Sequence, residues 1–250
     1  MEKIKNYTRI YRICPKMYPQ LLNKISPKVL LSNIADPPKR KKCLTDDEFL
    51  SLMSGYVDIE EKVDGGVVGL AWQDDHHLAI GKHSMIPNTE QGKKFYGFNN
   101  WIYEHYEQLA KIPLNWIVYG ELMRASHNIF YDKLSDYFIA FDVWDGKQYL
   151  NRDLRSIFLY NLGFAEVPLL YRGSNLNLSD VLKIAEGLNN ISNISRYSST
   201  ETIEGLVIKN DNGLRGKYVR REFLNSIEEH WLKTTLVENK LDISSKKQFK

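Results

Sequence analysis

The sequence has little cysteine and no long apolar run. Only Cys14 and Cys43 are present among its 250 residues, too few for a disulfide scaffold, so we expect both to be reduced in an intracellular protein. No stretch approaches the ~20 apolar residues that a membrane-spanning helix needs. The N-terminal residues 1–16 are polar and lack the apolar centre of a signal peptide. We therefore expect a cytoplasmic protein (host-cell cytoplasm if it is viral) with no membrane partner.

The net charge of +3 conceals an uneven distribution along the chain. Residues 1–55 carry eleven Lys/Arg against five Asp/Glu, and residues 215–250 carry nine against five. Residues 56–214 carry fourteen Lys/Arg against twenty-one Asp/Glu. Basic ends around an acidic centre are typical of a protein that holds a polyanion beside a site for divalent cations. Unevenly distributed solvated charge is the alternative, and charge alone favours that alternative.

Short segments rich in β-branched residues are mixed with helical ones, without internal repeats or regular βαβ alternation. Strand character is found at residues 56–62, 66–72, 77–82, 115–122, 137–144, 204–210 and 215–220. Helical spacing is found at residues 45–55, 99–112, 152–162, 180–190 and 221–232. Thr45, Asn151 and Ser179 are the expected N-caps, and Gly163 the expected C-cap. The mixture predicts an α+β fold of largely antiparallel sheets flanked by helices.

One lysine stands at the end of a predicted strand, in "EEKVDGG" at residues 60–66. A lysine ammonium, with a pKa of ~10.4, is not a nucleophile at neutral pH. Burial and neighbouring cations can lower that pKa, and a lysine tuned in this way can attack phosphoryl centres. Gly65 and Gly66 would let a ligand approach the backbone closely. Taken alone the pattern is weak, and a surface lysine at Lys62 is the alternative.

Other predicted strands also carry acids, bases and an aromatic residue in apolar surroundings. These are Glu121 in "YGEL", Phe141 and Asp142 in "FIAFDVW", Glu204 and Lys209 in "EGLVIK", and Arg215, Lys217, Arg220 and Arg221 in "LRGKYVRREF". Charged groups in buried strands are costly unless they are paired or bind a ligand. Together they offer metal-binding carboxylates, an aromatic platform and phosphate-binding cations to accompany the lysine.

This ordered set resembles motifs I, III, IIIa, IV and V of the covalent nucleotidyltransferases, which include DNA ligases, RNA ligases and mRNA capping enzymes. The resemblance covers residues 45–232 and is greatest to the ATP-dependent RNA ligases, including phage and bacterial members. It implies a nucleotidyltransferase (ATP-grasp-like ligase) domain at 46–232, between an N-terminal extension at 1–45 and a basic C-terminal tail at 233–250. Only 27 residues follow Phe223, so we expect no OB-fold domain, which needs roughly 40 residues or more.

The resemblance also implies a role for each matched residue. Lys62 would attack the α-phosphate of ATP, and Asp64 with Gly65 would shape the turn that orients it. The main chain at Glu61 would contact adenine, Phe141 would stack on it, and Glu121 would bind the ribose or a metal-bound water. Glu204, with Glu121, would hold Mg²⁺ or Mn²⁺. Cationic side chains would neutralise the phosphates during pyrophosphate release: Lys209, Arg215 and Lys217.

Two positions depart from the usual pattern of RNA ligases. Motif V usually reads Lys-x-Lys, and here Arg215 takes the first position, with a wider, planar charged group. The segment after motif I often offers an arginine for the 5′-phosphate of the nucleic acid, whereas "AIGKHS" offers Lys82. A surface lysine is the equal alternative for Lys82, and His127 is expected to make a structural hydrogen bond.

The resemblance implies an ATP-dependent ligase that joins RNA 3′-hydroxyl and 5′-phosphate ends, in a nicked duplex or between single strands. The reaction would pass through a lysyl–AMP intermediate and an adenylated 5′ end. A minimal ATP-dependent DNA ligase is one alternative. A nucleic-acid end-binding module of the same fold, without sealing activity, is another.

Overall fold

A computed structural model of the chain describes residues 7, 10–18, 20, 43–72, 78–81, 97–188, 192–224 and 237–242. The chain forms two compact units. Unit 1 comprises residues 1–8, 64–167 and 235–250, and unit 2 comprises residues 9–63 and 168–234. The chain passes from unit 2 to unit 1 between Val63 and Asp64 and returns between Val167 and Pro168. The tetrapeptide that begins at Lys62 is therefore shared by the two units.

Ten strands and five α-helices are found within the described ranges. The strands are β1 (Tyr11–Arg12), β2 (Tyr56–Lys62), β3 (Gly66–Trp72), β4 (Leu78–Gly81), β5 (Ile117–Leu122), β6 (Phe138–Trp144), β7 (Ala165–Glu166), β8 (Leu169–Ser174), β9 (Gly205–Asn210) and β10 (Arg215–Val219). The helices are α1 (Asp46–Leu52), α2 (Phe98–Glu104), α3 (Tyr106–Leu109), α4 (Arg152–Leu162) and α5 (Leu178–Ala185). The expected α+β fold, with largely antiparallel sheets flanked by helices, is confirmed.

Unit 2 contains a sheet of five strands in the order β1-β10-β9-β2-β8. All its pairings are antiparallel except that of β1 with β10. Side chains alternate between the faces of a strand, so Val57 and Ile59 of β2 enter the apolar core formed with α1 and α5. Asp58, Glu60 and Lys62 consequently occupy the opposite face, which we call the polar face.

Unit 1 contains the second sheet, in the order β4-β3-β5-β6-β7. One face packs on a core of side chains that includes residues of α2, α3 and α4. The other face carries a smaller cluster built around Ala71, Ile117 and Tyr119. The register of β5 with β6 shifts between Tyr119 and Gly120, where Phe141 is the extra residue. Such a bulge locally re-aims the side chains of its strand. Within the described strands, neither sheet closes into a barrel.

Helix caps account for several of the predicted helix boundaries and show that one predicted N-cap is wrong. Thr45 forms a capping box with Glu48 at α1, as its sequence predicts. Asn151 caps α4, and Gly163 ends it in the left-handed region with φ of 75°. The prediction that Ser179 is an N-cap is wrong. Asn177 caps α5 instead, because its side chain and that of Asp180 bond reciprocally to the backbone.

The helix expected over residues 99–112 is interrupted at His105, which separates α2 from α3. The His105 ring is held by Asp136, whose Oδ2 lies 3.0 Å from Nε2, and by the Trp101 carbonyl, 2.8 Å from Nδ1. It also stacks on the Trp101 ring with centroids 4.3 Å apart. These contacts give His105 a structural role in unit 1. The last predicted helix, at 221–232, lies largely outside the described residues.

The expectation that both cysteines are reduced is wrong, because Cys14 and Cys43 form a disulfide. Cys43 pairs with Arg12 in an isolated parallel bridge, and the Leu44 N–H donates to the Arg12 carbonyl at 2.8 Å. This backbone pairing brings the two cysteines together across 29 residues of sequence. Such pairing leaves no local signal in the sequence, and the short β1 strand gave none either.

Among the helices of the described residues, none is both long enough and apolar enough to span a membrane.

The His105 contacts predict that part of the stability of unit 1 depends on pH. Burial lowers the pKa of His105, but the hydrogen bond and charge of Asp136, with the Trp101 carbonyl, outweigh burial and raise it above 6.5. A raised pKa stabilises the fold fully below pH ~6.5, and this contribution is lost as the pH rises through the folded-state pKa. His105→Gln should therefore cost more unfolding free energy at about pH 5.5 than at about pH 8.5.

Urea denaturation of both proteins at the two pH values measures this difference. Glu107→Gln, on the neighbouring helix, is the control and should change the unfolding free energy by the same small amount at both pH values. An equal cost of His105→Gln at the two pH values would contradict the role given to Asp136.

Candidate active site

The polar face of unit 2 gathers four cationic side chains that the sequence analysis singled out. Lys62 lies opposite Gly205 in the register of β2 with β9. Lys209 lies opposite Arg215, and Val207 opposite Lys217, in the register of β9 with β10. Because partners across a sheet point to the same side, these positions place Lys62, Lys209, Arg215 and Lys217 on one face.

Lys62 forms an ion pair with Glu204, the residue that precedes β9. Its Nζ lies 2.5 Å from Glu204 Oε2, and the two side chains are 21% and 7% exposed. The backbone of Glu204 is fixed separately, since its carbonyl accepts a hydrogen bond from the Arg220 N–H at 3.0 Å. A close carboxylate favours the charged form of an amine. In this arrangement Lys62 is positioned, but as an ammonium ion.

The polar face has a second ion pair, in which Lys209 meets a carboxylate that is more deeply buried than Glu204. Lys209 Nζ lies 2.9 Å from Glu60 Oε2, and the Glu60 side chain is 1% exposed. Asp58, two residues earlier on the same strand, pairs with Arg172 of β8, whose Nε lies 2.5 Å from Oδ1. Sequence reasoning missed Glu60. The alternation of Asp58, Glu60 and Lys62 is the signal that could have placed it on this face.

Glu61 points to the other side of β2 and holds a loop. Its carboxylate accepts a hydrogen bond from Ser195 Oγ at 2.5 Å and one from the Arg196 N–H at 3.0 Å. Burial raises the pKa of the Glu61 carboxyl group, against the opposite effect of these two hydrogen bonds. The Glu61 side chain thus anchors the segment before β9, and only its main chain is proposed to contact a nucleotide.

Asp64 is held within unit 1 by the loop at residues 126–131. Its Oδ2 accepts hydrogen bonds from the Asn128 N–H at 2.8 Å and from Asn128 Nδ2 at 3.2 Å. Its own N–H donates to the Tyr131 hydroxyl at 2.9 Å. His127 Nδ1 lies 3.8 Å from Asp64 Oδ1. These contacts tie the backbone and the carboxylate of Asp64 to the loop at residues 126–131.

Gly65 meets the end of β5 so closely that no side chain fits there. A Cβ atom at Gly65 would lie 2.7 Å from Met123 Sδ and 2.8 Å from the Leu122 carbonyl oxygen. Glu121 is the residue before Leu122 on β5. It is half-buried and lies opposite Val67 of β3 and Ile139 of β6. The glycine is thus required for packing within unit 1.

Phe141 lies half-buried on the second face of the unit 1 sheet, at the bulge of β6. The ring of Tyr7 meets it edge-on, with centroids 4.9 Å apart, and the Tyr7 hydroxyl donates a hydrogen bond to Asp142. Arg155 of α4 holds the bulge from the other side. Its Nη1 donates to the Phe141 carbonyl at 2.7 Å, and its Nε donates to Glu166 at 2.5 Å.

Each unit therefore contains part of the predicted residue set. Unit 2 holds Glu61, Lys62, Glu204, Lys209, Arg215 and Lys217, and unit 1 holds Asp64, Gly65, Glu121 and Phe141. Lys82 lies outside the described residues. Over the described ranges no group of three or more metal-ligating side chains occurs. Glu204 offers a carboxylate of the hard-oxygen type that Mg²⁺ prefers, and Mg²⁺ usually needs only one or two carboxylates beside phosphates and water.

The chain was compared with protein families and with curated proteins. A model of the RNA ligase family matches residues 55–233. No curated protein matches the chain in a sequence search.

Solved structures of an RNA ligase from Naegleria gruberi share the fold. Its structure with PPi is 20% identical with a TM-score of 0.54, covering 72% of this chain and 53% of that chain. A variant with ATP and Mn is 20% identical with a TM-score of 0.54, covering 74% and 55%. A variant with AMP and Mn is 17% identical with a TM-score of 0.56, covering 91% and 58%. This chain spans little more than half the length of these ligases, and at such identity the likeness shows the fold alone.

The contacts of Arg155 predict a large loss of stability when its charge is removed. Asp142 and Arg155 are 0% and 1% exposed, so Arg155→Met leaves a buried carboxylate without its cation, at a cost of about 3–5 kcal/mol in the free energy of unfolding. Arg152→Met is the matched control. It removes a cation of the same helix whose contact with Glu166 is longer, at 3.5 Å, and should cost less than Arg155→Met.

Urea denaturation of the three proteins at neutral pH measures both costs. Equal effects of the two substitutions would show that Arg155 does not hold the bulge at Phe141.

Proposed function

Because the chain belongs to the RNA ligase family, whose model matches residues 55–233, we propose that it is an ATP-dependent RNA ligase. Lys62 is the residue that becomes covalently adenylated. The substrates are an RNA 5′-phosphate end and an RNA 3′-hydroxyl end. The reaction passes through a lysyl–AMP intermediate and an adenylated 5′ end.

The observation that carries this proposal is the placement of Lys62 on the polar face. Lys62 Nζ lies 2.5 Å from Glu204 Oε2, which fixes the direction of this side chain at the end of β2. The cations on the same face include Lys209, Arg215 and Lys217. A nucleophile, a carboxylate and several phosphate-binding cations on one rigid sheet are what nucleotidyl transfer requires.

ATP and a divalent cation are the proposed co-substrate and cofactor. The N. gruberi ligase has been solved with ATP and Mn and with AMP and Mn, which supports the choice of nucleotide and metal type. When bound, a divalent cation supplies positive charge beside Glu204, where a carboxylate suits its preference for oxygen ligands. Phe141 offers its apolar ring for stacking on the adenine, and Glu121 is the proposed contact of the ribose.

In the first step the Lys62 ammonium must lose its proton to solvent and leave its pairing with Glu204. Its Nζ lone pair then forms a bond to the α-phosphorus of ATP, and the bond from that phosphorus to the bridging oxygen of the β-phosphate breaks. Pyrophosphate leaves with the electron pair of the broken bond. Lys209, Arg215 and Lys217 stabilise the negative charge that collects on the phosphate oxygens.

In the second step a 5′-phosphate oxygen of RNA attacks the phosphorus of lysyl–AMP, which forms a 5′–5′ pyrophosphate linkage and releases the Lys62 amine. In the third step a 3′-hydroxyl attacks the activated 5′-phosphate, and AMP leaves as the phosphodiester forms. The covalent intermediate replaces one difficult displacement with easier ones.

The covalent step predicts that radioactivity from α-³²P-labelled ATP stays on the denatured polypeptide after incubation with Mg²⁺ or Mn²⁺. Lys62→Ala should abolish the label, because no other residue is proposed to attack. Lys183→Ala removes a partly exposed lysine that pairs with Asp180 on α5 and should label like the wild type. Labelled GTP should give little label if the adenine contacts are as proposed.

A folded wild-type protein that carries no AMP beforehand and takes no label with either metal would contradict the proposal. In that case the end-binding module becomes the better explanation. If label is found, sealing of nicks with RNA or DNA on either side of the break separates an RNA ligase from a minimal DNA ligase. Preference for DNA ends would contradict the proposed substrate while leaving the lysyl–AMP step intact.

A further inference from the structure

A C-terminal segment at residues 237–242 runs beside residues 123–134 in unit 1. Backbone hydrogen bonds join Ser126 N–H to the Val237 carbonyl at 2.8 Å and Asn239 N–H to the Arg124 carbonyl at 2.9 Å. Further bonds join Lys240 N–H to Tyr131, and Asp242 N–H to Leu134. These residues belong to the basic C-terminal tail expected at 233–250. Their regular backbone bonding makes them part of the folded unit.

Asn239 is the buried residue of this segment, with 1% exposure. Its side-chain Oδ1 accepts a hydrogen bond from the Tyr131 N–H at 2.8 Å. Its Nδ2 donates to the Met123 carbonyl at 2.6 Å. One amide group thus joins two backbone positions that are eight residues apart in sequence. A buried amide that satisfies two backbone groups holds both in a fixed geometry.

The two positions joined by Asn239 are the ones that hold the turn after Lys62. The Tyr131 hydroxyl accepts the hydrogen bond of the Asp64 N–H. The Met123 side chain lies so close to Gly65 that a Cβ there would come within 2.7 Å of its sulfur. Asn239 is therefore linked to Asp64 through Tyr131 and to Gly65 through Met123, without touching either.

We propose that Asn239 is a positioning residue for nucleotidyl transfer, acting through Tyr131 and Met123 on the Asp64–Gly65 turn. The RNA ligase family model ends at residue 233, so the residue that completes the support of this turn comes from outside the matched region. The proposal rests on the proposed function for its catalytic consequence. Its structural part, the control of the Asp64 backbone, can be tested by itself.

The structural part is tested by hydrogen exchange of the Asp64 amide in the full-length protein. Asn239→Leu has a similar size but neither hydrogen bond, so exchange at Asp64 should accelerate about tenfold as its acceptor on Tyr131 becomes less fixed. Val237→Ala changes an exposed side chain of the same segment and should leave the exchange unchanged. Leu162→Ala, in the core at the end of α4, lowers stability without removing either hydrogen bond of Asn239 and serves as the stability control.

The catalytic part is tested by the rate of Lys62 adenylation at a temperature where every variant is folded. Asn239→Leu should lower kcat about tenfold with little change in the KM for ATP, because a misplaced reacting group slows chemistry more than binding. Tyr131→Phe removes the hydroxyl that accepts the hydrogen bond of the Asp64 N–H and should have a similar effect. The double variant should be about as slow as the slower single variant, since both act on the same turn.

Faster exchange at Asp64 with a non-additive loss of kcat supports the proposal. Unchanged exchange in folded Asn239→Leu, or fully additive kinetic effects, overturns it. A wild type that takes no label contradicts the proposed function, whereas the exchange result still decides whether Asn239 controls the turn. If Asn239→Leu does not fold, Asn239→Ala, which also removes both hydrogen bonds, is judged by the same outcomes.

Discussion

Pairing of buried charge is the constraint on which the rest of this structure depends. A charged group removed from water costs several kcal/mol unless a partner of opposite charge lies close by. Lys62 meets Glu204, Lys209 meets Glu60, and Arg155 of unit 1 meets Asp142. Each pair also fixes the direction of a side chain or the course of a strand. The groups available for chemistry are therefore held in place before any ligand arrives.

The polar face of unit 2 carries an excess of positive charge even after this pairing. Its described side chains include six cations, namely Arg12, Lys62, Arg172, Lys209, Arg215 and Lys217, against the carboxylates of Asp58, Glu60 and Glu204. A polyphosphate would find cations already arranged on a rigid sheet, which lowers the cost of organising them. The carboxylates compete with the phosphates for the same cations. A divalent metal that binds a carboxylate would therefore leave more of the positive charge available to the phosphates.

Features with a short sequence period could be predicted, whereas contacts between distant segments could not. The strand containing Lys62, the cap at Thr45 and the end of α4 at Gly163 follow from alternation and cap residues within a few positions. Ser179 failed as a cap because Asn177 is also a good cap and forms the reciprocal bond with Asp180. The Cys14–Cys43 pairing depends on backbone contacts across 29 residues, for which no local pattern exists.

The same distinction applies within the candidate site. Lys62, Glu204 and Phe141 could be singled out because each belongs to a recognisable motif. Glu60 and Arg155 belong to none, and each becomes visible only when the register of a sheet or the packing of a helix is known. The motifs single out the groups that are proposed to react, whereas the groups that position them are dispersed along the chain.

The tetrapeptide from Lys62 to Gly65 shows why its pattern is weak by itself. Lys62 is fixed by the pairing of β2 with β9 and by Glu204, all in unit 2. Asp64 and Gly65 are fixed by Asn128, Tyr131 and Met123 of unit 1. Four consecutive residues thus depend on two separate sets of contacts, and neither set is encoded in the tetrapeptide. A chain with the same four residues but without those contacts would present a lysine with no defined direction, and it would have no means of holding that lysine for attack.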